Sequence, residues 1–462
     1  MEYKLTTKQF TEGAMFDSNG KLYHKAANRF KLFPFVTRNN SDTVESFDRL
    51  TGTFLCRIEN KKPKGITVND LVESLKETTE IEIGKEQLFY ETIKQLFFND
   101  DGRVRSLNLQ LLMQNLCKEP VEEKVAEYLV DVLGDRAVLE TALDDALQKS
   151  EQNSNVLERL VSSSLEYISD KNNKSNHYYR VVDSLTNLFT EDFSFILENQ
   201  TRAREYLVPL LEFYCFTYTA QVCMQLDRLM AGERKSNVPL YFCLDWEKTS
   251  QSRLCFSQGW QELQKAIEKI FAHAVVLEML NQTEPGSDQV DYIALADMVK
   301  GNTELDTEVA QMVDQITECY RNAVTDCADM NELEKNVVQE GKTEAAVTYL
   351  FNCVKTQFEI TRPAPYKRYA DNFEVFCQKY LKNRGRSGRM LNITEENLIF
   401  LTKLAIKNQE QMRLKDVFDQ FQARGIFLDE FSKEQVAGYY EKLNLIEKKS
   451  DSGDAKYVKR IL

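Results

Sequence analysis

The chain has 462 residues, 10 cysteines, 42% apolar and 28% charged residues and a formal net charge of −13. This is an ordinary globular balance with material for roughly two to four domains, and its acidity excludes a protein that coats nucleic acid with its whole surface. No run reaches the roughly eighteen apolar residues of a membrane helix, no apolar signal core follows Met1, and no cysteines form a C-x-x-C pair, so a cytoplasmic protein with buried free thiols, no metal and no cofactor is expected.

In chain order, residues 1–65 read as a mixed segment with short strands. Lys21–Lys25 leads into the aromatic-basic stretch Asn28–Asn40, stiffened by Pro34, and Thr51–Ile58 reads as a strand closed by Asn60 and Pro63. Tyr23, Phe30, Phe33 and Phe35 interleave with Lys25, Arg29, Lys31 and Arg38, as on a surface that stacks bases and meets phosphates. The pattern also suits a docking strand whose aromatics fill a core, which is the preferred reading.

Residues 66–378 read as a helical body. Thr67 or Asn69 caps a helix carrying Leu71, Val72 and Leu75, and further helices follow up to 177–190. A long helix is expected over 203–231. The stretch 238–256 breaks the period, and Val238–Trp246 with Ser252–Phe256 reads as a hairpin or extended insertion. Helices resume at Trp260 and run to about 382, interrupted by Glu284–Asp288 and Arg362–Pro365. Residues 379–390 read as a basic linker.

Residues 391–462 repeat helical spacing three times. Thr394 caps the first helix, Leu414, Val417, Phe418 and Phe421 mark the second, and Val436, Tyr439, Tyr440 and Leu443 the third. Leu445–Lys449 and Tyr457–Leu462 then form a hairpin, giving the order of a winged helix-turn-helix. The expected fold is therefore mainly α, with small β elements near the N-terminus and at 238–256 and a C-terminal winged helix.

Residues 379–462 carry 17 Lys/Arg against 12 Asp/Glu, whereas residues 1–378 carry 42 against 60. The third helix region is itself acidic, with Asp429, Glu430, Glu434 and Glu441 against Lys433 and Lys442, which suits base reading badly. Contact with duplex DNA is expected instead through the linker (Lys382, Arg384, Arg386, Arg389) and the wing (Lys448, Lys449, Lys456, Lys459). The competing reading is a protein-docking module behind a solvated linker.

Other motifs carry less. Gly341-Lys-Thr343 resembles the end of a phosphate loop but lacks its first glycine, at Asn336, and a preceding strand. Asp48, Glu59 and Lys61 form the acid plus Glu-x-Lys pattern of magnesium-dependent nucleases, and Lys61–Lys64 reads equally well as an exposed turn. Asp245 and Glu247 read as a solvated strand face. His24, His177 and His273 have no ligand spacing, and His273 reads as structural.

Two segments, Asn28–Asn40 and the run Leu240-Tyr-Phe-Cys-Leu-Asp-Trp-Glu247 with Ser252-Arg253, Gly259-Trp260, Phe271–His273 and Leu277–Asn281, carry a resemblance. On them the chain resembles the DptG family of DNA phosphorothioation-dependent restriction proteins. The resemblance implies a subunit of an antiviral restriction complex that acts on DNA lacking the modification. Its implied partners are a DptF-like subunit and a DptH-like translocating ATPase. It assigns no catalytic residue, so the expected role is a non-catalytic adaptor that contacts DNA and takes no small-molecule substrate. The alternatives are a nuclease subunit of the same system, using Asp48, Glu59 and Lys61, and a winged-helix transcriptional regulator reading through 430–443.

Overall fold

A computed structural model describes residues 3–12, 22, 24, 29–34, 44, 46–153, 155–169, 178–448 and 456–461. Helix makes up 62% and strand 8%, so the mainly helical class follows from the dominant period. No helix among the described residues is long and apolar enough to cross a membrane. The chain divides into two compact units.

One unit comprises residues 43–177 and 185–216. Its central helix, Phe47–Ile58, overturns the strand expected at Thr51–Ile58. Thr51, Thr53 and Ile58 favour a strand locally. However, Leu50, Phe54 and Ile58 recur at four-residue spacing and are buried, and the Ser46 side chain caps the helix by accepting from the Arg49 N–H. Phe54 meets the rings of Phe189 and Phe193 edge-on, at centroid distances of 6.1 and 6.2 Å. Gly52 permits a close crossing, since a Cβ there would lie 2.2 Å from the Asn115 carbonyl oxygen. A second core gathers Leu71, Leu75, Ile93, Phe97 and Val161. Strands β1 (Lys61–Pro63) and β2 (Tyr167–Ser169) pair antiparallel.

The other unit comprises residues 1–42, 178–184 and 217–462. Its helices Thr303–Ala323 and Lys342–Thr361 pack along each other, and the latter also packs on the helix Ile270–Leu280, all of which is buried except Phe271 and Ala274, which are half-buried. The expected 238–256 hairpin is instead a single strand, β3 (Tyr241–Leu244), whose partners lie far along the chain. The expected linker is likewise folded. Its residues form β4 (Leu381–Asn383) and the start of β5 (Arg389–Ile393), an antiparallel pair. After β6 (Gln411–Arg413) and β7 (Phe427–Leu428), the four-stranded sheet runs β4-β5-β3-β7, with β3 parallel to both neighbours.

Three helices, Glu395–Ile406, Leu414–Ala423 and Glu430–Lys442, form where the spacing placed them. Strands β8 (Ile446–Lys448) and β9 (Lys456–Lys459) pair antiparallel as expected, and β6 adds itself to the far side of β9. The C-terminal residues share one unit with 217–390.

Candidate functional site

Because β3, β5 and β7 run parallel, the chain leaves all three at one edge of the sheet. After β3 comes the turn Asp245-Trp246-Glu247; after β5 comes Thr394, and after β7 comes Asp429. Thr394 and Asp429 cap the helices that follow, accepting from the N–H groups of Asn397 and Ser432. Two helix N-termini and a polar turn therefore meet along this edge.

Arg253 ties the turn to the third terminal helix. It binds Asp429 in bidentate fashion, Nε–Oδ2 at 2.7 Å and Nη2–Oδ1 at 2.6 Å. Its Nη2 also reaches Glu247 Oε1 at 3.2 Å and Ser432 Oγ at 3.0 Å, and its guanidinium covers the Phe431 ring at 4.4 Å. Ser432 Oγ donates to Glu247 Oε1 at 3.0 Å. Burial alone would raise the Asp429 carboxyl, but Arg253 and the Ser432 N–H outweigh it and hold it below the ordinary value. Glu247 goes the other way: burial raises its carboxyl, and Ser432 and Arg253 only partly oppose this. Trp246 packs on Tyr439 with centroids 4.8 Å apart, and the Tyr439 hydroxyl donates to Glu395 at 3.0 Å. The reading of Asp245 and Glu247 as a solvated strand face is therefore corrected: they lie past the end of β3, and both are ion-paired.

The linker cations close the other side of the edge. Lys382 pairs with Asp245, which also accepts from Asn392 Nδ2 at 3.1 Å. The Lys382 hydrogen bond leads in holding the Asp245 carboxyl below its ordinary value. Arg384 donates through Nη2 to the Leu244 carbonyl and Asn392 Oδ1, both at 2.6 Å, and through Nη1 to the Asp245 and Glu247 carbonyls at 3.3 and 3.4 Å. Arg389 pairs with Glu374, and Arg386 remains exposed. Three of the four linker residues expected to meet phosphates are thus engaged within the chain. This matters for charge, because the five cations of 379–390 hold the whole C-terminal excess, and residues 391–462 carry 12 Lys/Arg and 12 Asp/Glu.

On the wing, Lys456 pairs with Glu441 at 3.1 Å, and Lys459 and Arg460 are exposed. Lys448 lies on β8, and Lys449 falls outside the described residues.

The nuclease pattern does not assemble as expected. Asp48 lies in the first turn of the helix Phe47–Ile58 and Glu59 caps its other end, roughly 16 Å away along the axis. Glu59 pairs with Lys61 at 2.7 Å, and its carboxyl is raised by burial, with Asp144, not Asp48, as the neighbouring acid. Among the described residues no group of three or more His, Cys, Asp or Glu could hold a metal ion. The aromatic-basic segment docks: the Arg29 and Phe30 N–H groups donate to the buried Glu278 carboxylate, Arg29 Nη1 donates to the Thr283 carbonyl, and Phe30 and Phe33 are buried. Lys31 is half-buried, and Lys25 and Arg38 lie outside the described residues. At Gly341-Lys-Thr343, the N–H groups of Lys342 and Thr343 donate to Asp306, so a carboxylate of the chain itself occupies that helix start.

The link from Arg253 to Asp429 was missed in the sequence, where its one signal was an arginine in the polar stretch after an apolar strand. No protein-family model matches the chain, and no curated protein matches it.

Proposed function

We propose that the chain is a non-catalytic adaptor of a DNA phosphorothioation-dependent restriction assembly, in which its C-terminal module is a winged helix used to hold protein. The order helix, β6, helix, β7, helix, β8, β9, in which β6, β9 and β8 share one sheet while β7 joins β3, supports the winged-helix reading. One observation carries the adaptor reading. In helix-turn-helix proteins the N-terminal residues of the third helix read bases, and here Asp429 and Ser432, at the start of that helix, are buried and held by Arg253 and Glu247. A module of zero net charge, with Asp429 and Ser432 of its third helix already engaged within the chain, is a poor independent DNA reader and a good rigid docking platform. The implied partners remain a DptF-like subunit and a DptH-like ATPase. Contact with duplex DNA falls to the wing, through Lys448, Lys456, Lys459 and Arg460.

The test is co-expression of the full chain with candidate partners, followed by salt titration of duplex binding. Stoichiometric co-purification is expected. Neutralising Lys456, Lys459 and Arg460 together should lower the slope of log affinity against log salt by about 2 to 3. Failure to co-purify removes the adaptor reading, and an unchanged slope removes the wing.

A further inference from the structure

We propose that Cys243 and Cys255 form a redox site in which a small peroxide oxidises Cys243 and Cys255 then closes a disulfide with it. All ten cysteines are free. These two, with Met390, make one fully buried cluster flanked by Tyr241 and Phe256. What distinguishes Cys243 is the guanidinium at its sulfur: Arg384 Nη2 lies 3.4 Å away. Its Sγ also lies 3.2 Å from the Leu391 carbonyl oxygen, to which it donates.

A cation beside a sulfur favours the thiolate, the form that attacks peroxides. The hydrogen bond from Cys255 and the nearby Arg384 charge hold the Cys243 thiol below its ordinary value, while the same hydrogen bond and burial push Cys255 far above it. By contrast, Cys117, Cys215, Cys223, Cys319 and Cys353 are all raised by burial. The roles follow: Cys243 attacks and Cys255 resolves. Cys255 also precedes a kink, at Gln258 and Gly259, where the backbone leaves helical geometry before the helix Gln261–Glu268.

The step balances with hydrogen peroxide as the oxidant, which is small and uncharged enough to enter a buried site on local opening. The Cys243 sulfur displaces hydroxide from the peroxide, forming an S–O bond as the O–O bond breaks, and the thiol proton leaves with the hydroxide as water. The Cys255 sulfur then attacks the sulfenic sulfur; the S–S bond forms, the S–O bond breaks, and a second water leaves with the Cys255 proton. Two thiols are oxidised and one peroxide is reduced. The resulting ring encloses residues 244–254, among them Asp245, Trp246, Glu247 and Arg253, the groups with which this turn grips its neighbours.

The experiment treats the full chain with limiting hydrogen peroxide, alkylates it under denaturing conditions, and maps the products by mass spectrometry. The expected result is a peptide linked through Cys243 and Cys255, with alkylatable thiols falling from ten to eight. C255S should stop at a Cys243 sulfenic acid that dimedone traps, and C243S should give neither product. Wild-type protein that keeps all its thiols, or that oxidises any other cysteine first, overturns the proposal without reference to either variant.

Discussion

Arg253 serves two buried carboxylates, Glu247 and Asp429, with a side chain only 14% exposed. Removing one partner of such a network leaves uncompensated charge in a low-dielectric setting, which costs far more than the pair contributes when intact. Arg253→Met should therefore destabilise this unit by about 3 to 5 kcal/mol in urea unfolding, and a loss below about 1 kcal/mol would mean that the network is solvated. The histidines give a second expectation. Burial, with Lys269 adding to it, lowers His273 to about 3, and burial lowers His24 to about 4. Both folded values lie below the unfolded value of 6.5, so the stability they contribute is present above that pH and is lost as pH falls toward 3 and 4. Between pH 7 and 5 each should cost roughly 2 kcal/mol. His273→Phe, which keeps the stack on Phe351 (centroids 4.3 Å apart), should remove one such share of the slope. An unaltered pH profile would refute the assignment.

Among the elements, β3 is closely approached by the backbone at Gly259. A Cβ at Gly259 would sit 2.6 Å from the Tyr241 carbonyl oxygen, so Gly259→Ala must push the kinked segment around it off the strand. A loss of about 1 to 3 kcal/mol is expected from such overpacking, and thermal unfolding would measure it. The helices were legible because their apolar residues repeat within one or two turns: Leu414, Val417, Phe418 and Phe421 state their own period. The sheet was not legible in the same way. Its strands are two to five residues long, and Cys243 lies 149 positions from Asn392. No local pattern specifies a parallel partner at that distance. The same reason explains the linker, where Lys382, Arg384 and Arg389 looked free because Asp245, the Leu244 carbonyl and Glu374 are remote in sequence or, for Glu374, on a preceding helix. Conversely, Thr51–Ile58 was misread because β-branched side chains outweighed the four-residue recurrence of Leu50, Phe54 and Ile58.

For the whole molecule, the charge split that suggested a separate basic module dissolves once its cations are located. The terminal residues are built into the sheet: Phe427 and Leu428 pair with β3 on one edge, and Asn392 and Ile393 pair with it on the other. A chain ending at residue 390 would leave both edges of β3 largely uncovered, together with Leu240, Phe242 and Leu244, which are buried in the full protein. Such a fragment should be insoluble or should associate through those edges, as gel filtration would reveal. A soluble, monomeric fragment would show that the module can be detached.

The parallel order β5-β3-β7 also has a mechanical consequence. Tension drawn through the third terminal helix reaches β3 along the strand direction, where the ladder bonds and the bidentate contact between Arg253 and Asp429 resist in concert rather than peeling open one at a time. A pull on the third terminal helix would therefore load these contacts in shear, with rupture set by an unfolding rate and not by a hinge.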